Sequence, residues 1–147
     1  MAQKGDLTKK KILNQAMQLF SQKGYSSVTM EDIREASGLS RGGLYRYFKS
    51  TKKIFEEILV MDKDQNEKKM NEAIVSGVPA EVLFRFFIDQ QKSAILNQKG
   101  RFNLAIYEFF QTESDMQELM NDRFLSAVRM LTTLVAYKNR NYLMSIQ

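Results

Sequence analysis

The stretch from Thr29 to Phe55, TMEDIREASGLSRGGLYRYFKSTKKIF, decides the fold. Thr29 followed three residues later by Asp32 is a capping box. The hydroxyl accepts the N–H of residue 32, and the carboxylate reaches back to the N–H of residue 29. It opens a short helix, Met30 to Ser37. Gly38 stops that helix, since glycine enters the left-handed conformation of a helix end without a Cβ penalty. Ser40 is a natural N-cap for a second short helix, Arg41 to Phe48, with Leu44 and Phe48 on one face. Two short helices around a tight glycine turn have the proportions of a helix-turn-helix.

Working outward, Ile33, Leu39, Leu44 and Phe48 need an apolar partner. The preceding segment supplies one. From Leu7 to Lys23, with Asp6 or Thr8 as cap and Gly24 as stop, Ile12, Leu13, Ala16, Leu19 and Phe20 recur at helical spacing. Downstream, Ser50 or Thr51 opens a long fourth helix through Ile54, Phe55, Ile58, Leu59 and Met61 towards Asn71. Ser76-Gly77-Val78-Pro79 breaks the chain. A fifth helix is predicted from Ala80 to about Gln98, with Gly100 as its stop, and a sixth from Phe102 to Gln111. Thr112 with Asp115 forms a second capping box, opening a seventh helix from Glu113 to about Tyr137. The remaining tail, ending AYKNRNYLMSIQ, loses helical periodicity and turns polar. No segment alternates as a strand does, and the chain has one proline and seven glycines. The reading is an all-α protein: a three-helix helix-turn-helix domain at residues 1–50, then a helical ligand-binding and dimerisation bundle at 51–147.

Charge divides the chain at the same place. Net charge is +5, but residues 1–56 carry 11 Lys/Arg against 5 Asp/Glu, whereas residues 57–147 carry 11 against 12. A basic head on a near-neutral body is the footprint of a polyanion-binding domain. The chain has no histidine and no cysteine. That excludes a Ser-His-Asp triad, a thiolate nucleophile and His or Cys metal sites, so neither an enzyme nor a bound cofactor is expected. Asp62, Asp64 and Glu67 read as a solvated helix face. With no signal-peptide h-region and no apolar run of membrane-spanning length, the expected location is the cytoplasm.

In a helix-turn-helix the first helix braces across the DNA backbone and the second lies in the major groove. The outward face of the second helix is then Arg41, Gly42, Gly43, Tyr45, Arg46 and Tyr47. Two adjacent glycines in a helix cost about 1 kcal/mol each against alanine. Bare backbone near a helix N-terminus compensates by letting phosphates and base edges come close to free N–H groups. Lys52 and Lys53 oppose the dipole of the helix they open, a conflict that a nearby phosphate would relieve.

These residues resemble the N-terminal DNA-binding domain of TetR-family repressors. The resemblance rests on Ile12-Leu13, Ala16, Leu19-Phe20, Gly24-Tyr25, Thr29, Ile33, Gly38-Leu39-Ser40, Gly43-Leu44-Tyr45 and Tyr47-Phe48, in order and without gaps. It covers about a third of the chain. It implies a homodimeric repressor that binds a palindromic operator in double-stranded DNA and is released by an inducer. Carried over by position, Thr29, Ser40, Tyr45, Tyr47, Lys52 and Lys53 would hold phosphates, and Arg41, Gly42, Gly43 and Arg46 would face bases. Arg34 departs from the pattern, standing where the family usually has a small residue, so its side chain is expected to point outward. Thr51 stands where a lysine commonly opens the fourth helix. The body is short for the family, which usually continues into two further helices that form the dimer interface. Apolar faces on the fifth to seventh helices are then the surfaces left to pair.

The body is rich in aromatics and methionine. Phe84, Phe87, Phe102, Ile106, Tyr107, Phe110, Met120 and Phe124 are predicted to line an inducer pocket, with Glu108 as the one acid that could meet a cationic ligand. The expected inducer is therefore small and hydrophobic or cationic. From another class, the alternative is a helical hydrophobic-ligand carrier whose shortened body no longer supports operator binding.

Overall fold

The computed structural model describes the backbone of residues 2–96 and 98–144, and side chains for residues 5–89, 92 and 101–140. Among these residues the order is α1 (Ala2–Lys23), α2 (Met30–Ser37), α3 (Arg41–Tyr45), α4 (Thr51–Val75), α5 (Ala80–Leu96), α6 (Gln98–Thr112), a 3-10 turn (Ser114–Met116) and α7 (Gln117–Met144). No strand is present among them.

Each local stop and start has its physical cause in view. Thr29 and Asp32 form both arms of the capping box, and Gly38 ends α2 at φ 66°. Ser40 accepts the Gly43 N–H, and Ser50 accepts the Lys53 N–H, capping α3 and α4. Gly24 ends α1 at φ 83°. The expected bounds of α2 hold. Although α3 is regular only to Tyr45, the Phe48 N–H still bonds the Leu44 carbonyl at 3.1 Å, so helical bonding reaches Phe48.

Four expectations about boundaries are corrected. α1 begins at Ala2 rather than near Leu7. Gly100 does not stop the fifth helix; it lies inside α6. Its cost there is offset by the tertiary burial of Ala105 and Phe109 on the same helix. Thr112 and Asp115 form no capping box: a 3-10 turn intervenes with no side-chain cap, and Asp115 is taken by Lys52. The tail does not lose its helix at Tyr137, because α7 runs to Met144. Leu134 is buried beside Met70 and Leu83, and the Tyr137 hydroxyl donates to the Val78 carbonyl at 3.0 Å. Packing against the 76–79 break thus holds a segment whose own periodicity is weak.

The main core joins the three-helix head to the body. Ile12, Leu13, Ala16 and Phe20 of α1 meet Ile33, Leu44 and Phe48, then Ile54, Phe55, Ile58 and Leu59 of α4, and finally Ala105 and Phe109 of α6. Phe55 is its hinge of rings. Its centroid lies 4.7 Å from that of Phe20, 5.0 Å from Tyr25 and 4.8 Å from Phe109. Burying each such ring stabilises by roughly 1.5–3 kcal/mol. A second, smaller cluster around Met70, Leu83 and Leu134 ties the far ends of α4, α5 and α7.

Between the two clusters α4 meets α7 through polar contacts. Lys63 binds Asp122 at 2.6 Å. Arg123 donates to the Leu59 carbonyl at 2.7 Å and to Asp62 at 3.1 Å. The Ser126 hydroxyl donates to Glu67. The acidic face of α4, read from sequence as solvated, is therefore partly an interhelical seam.

Candidate nucleic-acid interface

α3 is pinned from below and open above. Leu44 is fully buried and Phe48 nearly so, while Arg41, Gly42 and Arg46 are exposed. Leu44 and Phe48 are four residues apart, one turn, so they fix the rotation of the segment about its axis. The polar positions between them then face away from the core.

The two glycines do different work. A Cβ on Gly43 would stand 3.1 Å from the Ser40 hydroxyl oxygen and 3.7 Å from Leu39, so this glycine makes room for the cap. A Cβ on Gly42 would meet nothing within 4 Å. Its lack of a side chain serves nothing inside the fold and leaves a bare patch between two arginines. The Arg41 guanidinium lies 5.9 Å from the Tyr45 ring centroid, a cation–π contact that holds the arginine near the surface of α3.

The expected phosphate ligands are distributed unevenly. Ser40 is exposed at the start of α3, and its oxygen is engaged with the Gly43 N–H at 3.1 Å. Thr29 is exposed, with its hydroxyl bonded to Asp32. The Lys23 ammonium also binds Asp32, and these contacts hold that carboxyl far below the ordinary carboxylate range. Tyr45 is half-buried at the α3 surface. Tyr47 packs against the main core, with its hydroxyl 4.0 Å from where a Gly5 Cβ would sit. Lys53 is exposed and paired with Glu56 at 2.6 Å.

Lys52 is turned towards the body. It binds Asp115 at 2.6 Å and Glu113 at 3.1 Å. The two carboxylates raise the lysine's pKa, and the lysine lowers that of Asp115. The dipole conflict noted in the sequence is thus relieved from within the chain, and a phosphate on Lys52 would have to displace these partners. Arg34 points outward as expected, but into Glu31 at 2.8 Å and the Leu39 carbonyl at 3.2 Å. It braces the turn of the motif. Sequence reasoning passed over Lys11, whose ammonium lies 3.9 Å from the position of a Gly38 Cβ. The Lys9-Lys10-Lys11 run was the available signal.

The residues expected to line an inducer pocket are not gathered into one. Phe102, Ile106 and Phe110 pack against the main core, and Phe87 packs in the second cluster. Phe84, Tyr107, Met120 and Phe124 are exposed. Glu108 is half-buried and engaged within the chain: its Oε2 accepts the Tyr25 N–H at 2.6 Å and the Ser26 N–H at 3.3 Å. An open surface groove lies along α4, lined by Glu57, Val60, Met61, Asp64, Gln65 and Lys68, and includes none of the nine.

Residues 12–58, from the core of α1 through α3 into α4, match the family of bacterial regulatory proteins described as tetR family. This segment is similar to the DNA-binding domain of tetR-family regulators. It is 38% identical over 68 residues to the HTH-type transcriptional regulator YfiR of Bacillus subtilis, covering 46% of this chain and 33% of that one. It is 31% identical over 106 residues to the HTH-type transcriptional regulator AcrR of Shigella flexneri, covering 71% of this chain and 49% of the relative. It is 32% identical over 94 residues to IcaR of Staphylococcus aureus, named a negative transcriptional regulator of a biofilm operon, covering 59% and 50%. The chain therefore spans about half the length, or less, of these curated relatives. Among solved structures, a gamma-butyrolactone receptor (ArpA-like protein) superposes with a TM-score of 0.56 at 19% identity, over 92% of this chain and 82% of that one. That likeness supports the fold: a helix-turn-helix head continuous with a helical bundle. Among the described residues no helix is long and apolar enough to cross a membrane.

Proposed function

We propose that this protein is a TetR-family transcriptional regulator that binds DNA and represses by occupying a palindromic operator as a homodimer. The observation that carries the reading is the outer face of α3: Arg41, Gly42 and Arg46 stand exposed while Leu44 and Phe48 fix their direction. Arg41 reads guanine through its two parallel donors, and Gly42 admits the backbone to the groove. Lys11, Ser40, Tyr45 and Lys53 hold flanking phosphates. The names of YfiR, AcrR and IcaR support regulation, and that of IcaR supports repression.

Release by a small hydrophobic or cationic molecule belongs to the same proposal. Such a ligand would open its own space between α5, α6 and α7, selecting a minor conformation of the bundle. The carrier alternative predicts ligand binding without operator binding.

The deciding experiment is fluorescence anisotropy with the DNA upstream of the protein's own gene, at several salt concentrations. Operator binding is expected to weaken steeply with salt, as phosphate contacts require. Arg41→Ala is expected to cost about 1–3 kcal/mol of affinity for the operator and to leave non-specific binding little changed. Equal losses on operator and random DNA would remove Arg41 from base reading. No binding to any promoter DNA by the folded protein would favour the carrier.

A further inference from the structure

One side chain ties the turn between α2 and α3 from both ends. The Arg34 Nε and Nη2 donate to the two carboxylate oxygens of Glu31 at 2.9 and 2.8 Å, a two-pronged pair. On its other side Nη1 donates to the Leu39 carbonyl at 3.2 Å. The Leu39 N–H in turn bonds the Arg34 carbonyl at 3.2 Å. Residue 34 therefore holds both backbone polar groups of residue 39. The Leu39 carbonyl is open to the guanidinium for a local reason. A regular helix would send the Gly43 N–H back four residues to it. Here that N–H goes to the Ser40 hydroxyl at 3.1 Å instead.

Leu39 is the last residue before the cap of α3, and its side chain packs against the main core. Its carbonyl shares one rigid peptide plane with the Ser40 N–H. Fixing that carbonyl fixes the plane from which α3 starts, and Arg41 stands one residue beyond the cap. A guanidinium on this face could serve as a phosphate ligand instead, but its surroundings argue against that. Glu31 flanks it on one side and Glu35 stands 3.4 Å away, so one cation sits between two carboxylates and the cluster is net anionic. Such a cluster repels phosphate. Arg34, and after it Arg41, hold the Glu31 carboxyl below its usual range, so the Glu31 end of this strut lies within the field of the arginine on the outer face of α3.

We propose that Arg34 is a positioning residue for operator recognition: braced on Glu31 and fastened to the Leu39 carbonyl, it sets the direction in which α3 leaves the turn, and so the reach of Arg41, without touching DNA. This deepens the operator reading above and rests on it for its effect on DNA, whereas the strut itself can be measured with no DNA present.

Fluorescence anisotropy of the full chain tests it, with the duplex from upstream of the protein's own gene, a scrambled duplex of the same length, and a salt series on each. Arg34→Ala puts the best helix former at a half-buried position of α2, so the variant is expected to stay folded, with a melting temperature near that of the wild type. It is expected to lose about tenfold in affinity for the upstream duplex, as the loss of a charge-assisted hydrogen bond does, and to keep its affinity for the scrambled one. The dependence of log affinity on log salt is expected to be unchanged, since no phosphate contact is removed. Arg34→Lys keeps the charge but not the planar fork, and is expected to behave as the alanine variant does. Equal losses on both duplexes, with a salt slope shallower by about 0.9, would make Arg34 a phosphate ligand and overturn the proposal. So would an unchanged affinity for the upstream duplex. Amide hydrogen exchange of residues 39–43 without DNA is expected to quicken in Arg34→Ala while that of α4 holds. Should the wild type bind neither duplex, the operator reading falls, and exchange alone decides the strut: quickened at residues 39–43 it is upheld, unchanged it is overturned.

Discussion

At the scale of single residues, Gly24 and Gly42 carry different constraints. Gly24 has φ 83°, and a Cβ there would stand 2.8 Å from the Glu108 carboxylate. Gly24→Ala is expected to destabilise the fold by about 1–3 kcal/mol, measured by urea denaturation, because it adds left-handed strain and displaces the half-buried Glu108 acceptor. Gly42 has no such neighbour. Gly42→Ala is expected to raise stability, by up to about 1 kcal/mol, through helix propensity while weakening operator binding. A variant that loses stability and keeps its affinity would show that the residue serves the fold and not DNA. The glycine stops at 24 and 38 were legible from sequence, since each follows an amphipathic run and precedes a cap. The partner of Gly24 was not, because Glu108 lies 84 positions away and its role exists only once α6 crosses the 24–26 turn.

At the scale of elements, what propensity dictates locally was readable and what a neighbour imposes was not. Thr29-Asp32, Ser40 and Ser50 specify their own helix starts through hydrogen bonds to residues three positions on, so α2, α3 and α4 begin where the sequence puts them. The start of α7 failed the same logic because Lys52, from α4, takes the Asp115 side chain that would have capped it. Rings read as pocket walls became the joint between head and body for the same reason: Phe102 and Phe110 are apolar whether they face a ligand or the main core. Glu108 is the polar latch of that joint. Removing it as Glu108→Ala leaves the Tyr25 N–H without its acceptor, at a cost of about 1–3 kcal/mol. Amide hydrogen exchange is expected to show Tyr25 and Ser26 losing protection while α5 and α7 keep theirs. Glu108→Gln, whose amide oxygen still accepts, is expected to recover most of it. If the alanine variant exchanged faster throughout the body, the latch would be a general packing residue.

At the scale of the whole molecule, the absence of histidine and cysteine shapes the response to pH, since no side chain titrates near neutrality at its ordinary value. Several groups with shifted pKa values sit in the contacts between helices. Asp32, Asp115 and Asp122 have lowered pKa values because Lys23, Lys52 and Lys63 stand beside them. Unfolded carboxyls bind protons first as pH falls, so the stability these three contribute is complete above about pH 5 and drains away below about pH 4. On the alkaline side Lys52 and Lys63 are raised by Asp115 and Asp122, and Tyr25 is raised by burial and then by its 2.8 Å bond to Glu113. Each stays protonated in the folded state beyond the pH at which the unfolded chain gives up its proton, so stability falls as pH rises above about 10. The melting temperature is expected to be level between about pH 5 and pH 9 and to fall on both sides. Tyr25→Phe separates the contributions: it removes the one phenol that must ionise inside the aromatic joint, so its alkaline fall is expected to be shallower than the wild type's while its acid limb is unchanged. An alkaline limb identical in the two proteins would mean that the lysines alone set it, and that the ion pairs between helices, and not the ring joint between head and body, give way first.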